Sequence, residues 1–104
     1  MEELQLGENQ ISKISNLNHL QNLKALVLKN NQLREIDGLT KLVNLKSLDL
    51  SDNQIEVLDG IENLKNLEYL NLSNNNIIDT KNLTNLTNLQ TLKLNGNPVK
   101  ISSD

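Results

Sequence analysis

The sequence contains no cysteine, phenylalanine or tryptophan, and Tyr69 is its only aromatic residue. Without cysteine, neither a disulfide nor a thiolate-ligated metal site can form, so the redox state of the compartment is not constrained. Compact cores normally use aromatic rings to fill irregular space. Their near absence favours a fold built of similar layers, in which leucine packs on leucine.

Charge and hydropathy exclude further classes. The chain carries 10 basic and 13 acidic side chains, a net charge of −3, without a basic run, so we expect no nucleic-acid partner. No apolar run approaches the roughly 18 residues that span a bilayer, and Met1-Glu2-Glu3 lacks the basic start and apolar run of a signal peptide. We therefore expect no membrane contact and a cytoplasmic location, or an extracellular one if a leader has been removed.

Leucine and asparagine dominate what is present, with 23 and 19 copies. An asparagine recurs every 22 residues in the pattern LxxLxLxxNxI, at Asn9, Asn31, Asn53, Asn75 and Asn97. A fixed period of this length is typical of solenoids. The sequence therefore predicts one domain over residues 1–104, with repeat units at about 1–22, 23–44, 45–66, 67–88 and 89–104.

The apolar spacing within a repeat changes from two to three. Leu26 and Leu28 stand two apart, which places both on one face of a strand. After the asparagine, apolar residues follow every three positions, at Leu33, Ile36, Leu39, Leu42 and Leu45. This period fits 3₁₀ turns or extended segments better than an α-helix. We predict an α/β solenoid, coiled right-handed, with about five parallel strands and short 3₁₀ or extended return paths.

The repeated asparagine has a structural interpretation. A buried turn leaves backbone N–H and C=O groups that cost about 1–3 kcal/mol each when unpaired. An asparagine amide both donates and accepts, so stacked copies are expected to bond the turn of the adjacent coil. Asp37-Gly38 and Asp59-Gly60, at equivalent places on the return path, favour turns.

One inward position breaks the repeat. Thr80 stands where the other repeats have Ile14, Ile36 and Leu58. We expect either that Ile78 swings inward instead or that the threonine hydroxyl bonds locally. This coil should be the least regular one.

The segment LREIDGLTKLVNLKSLDLSDNQIEVLDGIENLKNLEYLNLSNNNI (33–77) resembles the 22-residue class of leucine-rich repeats. It is similar to the repeats of the nuclear regulatory subunit of protein phosphatase 1 and the related dynein light chain, and NLTNLTNLQTLKLNGN (82–97) resembles bacterial internalins. The resemblance implies a horseshoe whose parallel sheet lies on the concave side and commonly holds partners.

The family usually adds a cap before the first repeat and another after the last. Here Met1 falls almost on the first strand and only residues 100–104 follow the final turn, which includes Pro98. We therefore expect no separate cap domains. Uncapped ends expose strand edges, so self-association through them is a further expectation.

The residues between the inward leucines should face outward on the concave sheet. The third such column is Gly7, Lys29, Ser51, Ser73 and Asn95. Tyr69 is the candidate anchor, since tyrosine is enriched in interface hot spots; the alternative is a lone solvated ring. Val27 and Ala25 would extend it, and Asp49 and Lys29 would set charge preference unless they are merely solvated. The predicted partner-binding set is Ala25, Val27, Lys29, Asp49, Tyr69, Asn71 and Lys93.

The predicted function is a non-catalytic module that binds a protein partner through the concave sheet. His19, the only histidine, lacks a neighbouring carboxylate and nucleophile, so it forms no catalytic set. We expect no enzyme activity and no cofactor or metal. The alternatives are a protein phosphatase regulatory subunit, an internalin-like cell-surface adhesion module, and a designed or minimal repeat scaffold without a natural ligand.

Overall fold

A computed structural model describes residues 2–100. Met1 and residues 101–104, which were assigned to the first and last repeat units, lie outside the described residues. The element bounds are β1 Glu3–Gln5, β2 Ala25–Val27, β3 Ser47–Asp49, β4 Tyr69–Asn71 and β5 Thr91–Lys93, with 3₁₀ helices Asp37–Leu39, Ile61–Asn63 and Lys81–Leu83. We number the coils 1–5 by the strand that opens them.

The five strands form one parallel sheet in the order in which they occur along the chain. Each residue pairs with the residue 22 positions later, as in Leu26 with Leu48 and Leu48 with Leu70. The predicted leucine-rich-repeat horseshoe is confirmed. Its helical content over residues 2–100 is 3₁₀ only, because the three-residue apolar spacing of the return path fits 3.0 residues per turn.

The core is a stack of leucine and isoleucine columns between the sheet and the return paths. Leu48, Leu50 and Ile55 are completely buried, and each has equivalents above and below it. No helix of residues 2–100 is long and apolar enough to span a membrane.

The asparagine ladder is confirmed. Asn53 Oδ1 accepts the Leu33 backbone N–H at 3.0 Å, and Asn53 Nδ2 donates to the Leu28 and Leu50 carbonyls, both at 3.0 Å. Since Leu28 and Leu33 belong to the preceding coil, one side chain joins two coils. Asn75 makes the equivalent bonds one coil further on.

A second asparagine column, which the sequence analysis missed, lies on the return path just before the strands. Nδ2 of Asn44, Asn66 and Asn88 donates to a carbonyl of the preceding coil, at 2.7, 3.0 and 2.9 Å. The signal was present, because these residues and Asn22 also recur every 22 positions. The two columns tie adjacent coils together before and after each strand.

The residue before each ladder asparagine has a left-handed backbone. The φ values are 59° at Glu8, 57° at Asn30, 58° at Asp52, 58° at Asn74 and 79° at Gly96. Asparagine, aspartate and glycine tolerate this conformation, which explains the Asn-Asn, Asp-Asn and Gly-Asn pairs of the repeat. The chain turns sharply here at the end of each strand.

Thr80 is accommodated differently from the prediction. Ile78 does not swing inward, since 48% of its surface is exposed, and the Thr80 hydroxyl makes no hydrogen bond within residues 2–100. The backbone of this coil stays regular: the Leu83 N–H donates to the Thr80 carbonyl at 3.0 Å, as Leu39 does to Ile36 at 2.9 Å. Backbone hydrogen bonds and the neighbouring coils hold the turn, so a smaller side chain at one position leaves it unchanged.

The two Asp-Gly pairs adopt different turns although they align in sequence. Gly60 has a left-handed backbone with φ of 99° and precedes the 3₁₀ helix Ile61–Asn63. Gly38 lies inside the helix Asp37–Leu39, where an added Cβ would stand 2.3 Å from the Ile14 carbonyl oxygen. Gly38 is therefore required by the close approach of two coils rather than by its own φ.

We expect Gly38→Ala to lower the free energy of unfolding by about 1–3 kcal/mol, because the backbone of coil 1 must move to admit the methyl group. Gly7→Ala is the matched control, since the nearest atom to its Cβ is the flexible Lys29 Cγ at 3.3 Å. Urea unfolding measures both variants. Equal losses would show that the approach of Gly38 to Ile14 is not what requires glycine.

Candidate partner-binding surface

The strand positions predicted to face outward lie together on one face of the sheet. In β2, Ala25 and Val27 are half-buried, whereas Leu26 between them is 1% exposed. The register then places Ala25, Ser47 and Tyr69 in one row across the coils. A second row holds Val27, Asp49, Asn71 and Lys93.

Tyr69 lies between Lys93 on one side and small side chains of the sheet on the other. Lys93 Nζ lies 5.6 Å from the centroid of the ring, within the range of a cation–π contact. On the other side of Tyr69, its row neighbours are Ser47 and then Ala25. Both of these side chains are short, and the half-buried ring has its hydroxyl 3.5 Å from Asn71 Nδ2.

Asp49 and Asn71 accept hydrogen bonds from the turns that follow their strands. Asp49 Oδ1 accepts the Ser51 backbone N–H at 3.0 Å and the Ser51 hydroxyl at 2.7 Å. Asn71 Oδ1 accepts the same two groups of Ser73, at 3.0 and 2.6 Å. Part of the Asp49 carboxylate is thus committed to the fold.

The prediction that Ser51 and Ser73 belong to a free outward column is wrong, because they are only 6% and 7% exposed. The strands end before them and the chain turns, which draws both serines in. Lys29, in the same column, is exposed, and its stem packs close to Gly7. This column therefore offers the ammonium group of Lys29 but not the two hydroxyls.

A shallow hollow of about 390 Å³ adjoins the sheet where the strands begin. Lys24 pairs there with Glu2 at 3.7 Å, and both side chains are more than half exposed. Lys46 has no acidic partner within residues 2–100. This edge, to which no sequence motif pointed, is lined by Glu2, Asn22, Lys24, Asn44, Lys46 and Asn66.

No group of three or more His, Cys, Asp or Glu side chains could hold a metal ion within residues 2–100. A stack of parallel strands with structural asparagine columns and a variable outer face defines a repeat-built scaffold. The family model "Leucine Rich repeats (2 copies)" matches residues 1–41, 43–85 and 66–103. The chain belongs to the leucine-rich-repeat family.

Solved structures of bacterial proteins superimpose closely on this fold. Internalin C2 of Listeria monocytogenes is 34% identical, with a TM-score of 0.94 over 99% of this chain and 46% of its own. A leucine-rich-repeat protein of Leptospira interrogans is 31% identical, with a TM-score of 0.86 over 96% of this chain and 32% of its own. The chain thus spans less than half the length of these relatives.

The functional domain of InlJ from Listeria monocytogenes, which includes a cysteine ladder, is 29% identical, with a TM-score of 0.85 over 99% of this chain and 22% of its own. This chain lacks cysteine and carries ladders of asparagine.

A comparison with curated proteins gives no match. None of the three structures is a phosphatase subunit, so the finer resemblance to that protein stays a prediction. Leucine-rich-repeat proteins such as internalins are protein-interaction modules, and their fold is typically a non-enzymatic scaffold.

Proposed function

We propose that the concave sheet binds a protein partner and that Tyr69 is the anchor of the interface. The observation that carries this proposal is the position of the ring, placed beside Lys93 Nζ at 5.6 Å and next to the small side chains of Ser47 and Ala25. A tyrosine held in this way loses little conformational freedom on binding, since it has only two side-chain torsions.

The remaining predicted residues supply the surroundings of the anchor. Val27 and Ala25 give a small apolar area in coil 2, and Lys93 and Lys29 give cations in coils 5 and 2. The ladder asparagines and inward leucines are committed to the coil, so partner specificity depends on these variable positions.

Tyr69→Ala is expected to weaken partner binding by about 2 kcal/mol, roughly thirtyfold, because truncation removes the apolar ring and the site of the Lys93 contact. The partner is first captured with the photocrosslinking residue p-benzoylphenylalanine at Ser47, which is half-buried on the sheet. Lys41, exposed on the return path, carries the same residue as the control. Affinity for the captured protein is then measured by calorimetry.

Crosslinks from both positions in equal yield would contradict the concave site. An unchanged affinity of Tyr69→Ala would remove Tyr69 as the anchor while leaving the sheet as the binding face. His19→Ala, on the exposed return path, should bind the partner as the unmodified protein does.

The second candidate function is an internalin-like cell-surface adhesion module, which is favoured by the 34% identity to internalin C2 over 99% of this chain. A cytoplasmic location, a designed scaffold without a ligand, and self-association through the ends stay predictions. Surface labelling of intact source cells separates adhesion from a cytoplasmic role.

A further inference from the structure

Coil 4 reverses the order of polar and apolar residues that the other coils have on their return paths. In coils 1–3 a polar side chain precedes the inward aliphatic one by two positions, as Glu56 precedes Leu58. In coil 4 these positions hold Ile78 and Thr80. The structure leaves Ile78 48% exposed and places the half-buried Thr80 at the inward position.

This reversed order does not stabilise the coil. Exchanging the two residues would bury the larger apolar side chain and release the polar one, which is the stabilising arrangement. Val57, in the neighbouring coil, is also 47% exposed. Val57 and Ile78 therefore place two exposed aliphatic side chains in neighbouring coils.

Two hollows connect these side chains. The first, of about 190 Å³, is lined by Val57, and the second, of about 500 Å³, by Ile78. Asp79 and Lys81 line both. We call this region the Val57–Ile78 surface and define it by Glu56, Val57, Asp59, Ile78, Asp79 and Lys81.

Negative charge predominates around Val57, whereas the hollow beside Ile78 has the carboxylate of Asp79 and the cations of Lys81 and Lys100. Glu56, Asp59 and Asp79 line the first hollow, whose only cation is Lys81, which pairs with Asp79 at 3.8 Å. Glu62 adds a fourth carboxylate, since Asn82 Nδ2 lies 3.3 Å from it and 3.4 Å from Asp59 Oδ1. Hydrogen bonds from its own backbone and from Asn82 lower the pKa of Glu62. Lys100 lines the second hollow.

We propose that the Val57–Ile78 surface docks a basic polypeptide segment that carries aliphatic side chains. The aliphatic groups would cover Val57 and Ile78, and the cations would reach Glu56, Asp59 and Glu62. Nucleic acids and anionic membranes are repelled by the same carboxylates. The surface lies on the return path, so its occupant is separate from any partner of the concave sheet.

The test uses a lysine-rich peptide with two leucines as the probe. Methyl NMR follows Val57 and Ile78 during the titration, and fluorescence anisotropy gives the dissociation constant. We expect saturable binding with shifts at both methyl-bearing residues. The same peptide with serine for leucine should bind about tenfold more weakly, because the apolar contact is lost. A glutamate-for-lysine peptide should not bind.

Two variants decide the role of the aliphatic pair. Val57→Ser with Ile78→Ser should weaken binding about tenfold, whereas Val43→Ser, which removes a 45% exposed valine elsewhere on the return path, should not. The exchange variant carries both Ile78→Thr and Thr80→Ile, which restores the pattern of the other coils. It should raise the melting temperature and weaken binding.

The proposal is overturned by any of four results. These are no saturable binding of the leucine-containing peptide, equal binding of the serine peptide, an equal loss with Val43→Ser, or full binding by the exchange variant. The exchange variant guards against a folding defect, because it is expected to fold more stably than the parent chain.

Discussion

Asn53→Ala is expected to lower the free energy of unfolding by about 2–4 kcal/mol, since it leaves buried backbone groups without partners. The Leu33 N–H, which donates to Asn53 Oδ1 at 3.0 Å, would be left unpaired inside the solenoid. The Leu28 and Leu50 carbonyls would each lose one donor. Urea unfolding followed by circular dichroism measures the loss.

Asn9→Ala is the matched control, because the same residue type stands at the same repeat position in coil 1. Asn9 is exposed, and within residues 2–100 its Nδ2 bonds only carbonyls of its own coil, those of Leu6 and Gly7. Its replacement should cost less than about 1 kcal/mol. A loss at Asn9 as large as that at Asn53 would show that the bonds between coils are not the source of the effect.

Leu48→Ala is expected to lower the free energy of unfolding by about 2–5 kcal/mol, because it removes a fully buried side chain and leaves a cavity. Leu48 is 0% exposed and pairs with Leu26 on one side and Leu70 on the other. Both neighbouring coils fix its surroundings, so the site cannot collapse easily. Thermal and urea unfolding of the purified variant give the value.

Leu4→Ala provides the comparison, since Leu4 occupies the equivalent position in β1 and is only partly buried. Its loss should be clearly smaller than that of Leu48, in proportion to the apolar area it removes from water. Equal losses at the two positions would mean that the first coil is covered in solution, for example by a second copy of the chain.

These effects explain why the repeated residues carry little information about partners. Leucine at the strand positions and asparagine at the turns are needed in the inner coils, which have a neighbour on each side. The variable rows of the concave sheet and the Val57–Ile78 surface are free of that requirement. Variation at Tyr69 or Ile78 should therefore change binding more than stability.

The sequence determined the coil by itself. Spacings of two and three fix the strands and 3₁₀ turns, and the 22-residue period fixes their register, because each coil must repeat its neighbour to bury the same columns. The ladder followed from the same reasoning, since an amide can satisfy both a donor and an acceptor in a buried turn.

The tertiary structure decided what the repeat leaves open. Ser51 and Ser73 are buried by the turn after their strands. Gly38 is required because the backbone of the preceding coil lies close to it. Ile78 stays exposed although Thr80 occupies a position that is aliphatic in the other coils. Lys93 reaches Tyr69 from the next coil. These outcomes depend on contacts between coils, which the spacing of residues within one repeat does not specify. The period thus fixed the scaffold, and the packing of neighbouring coils fixed the surfaces on which binding is proposed.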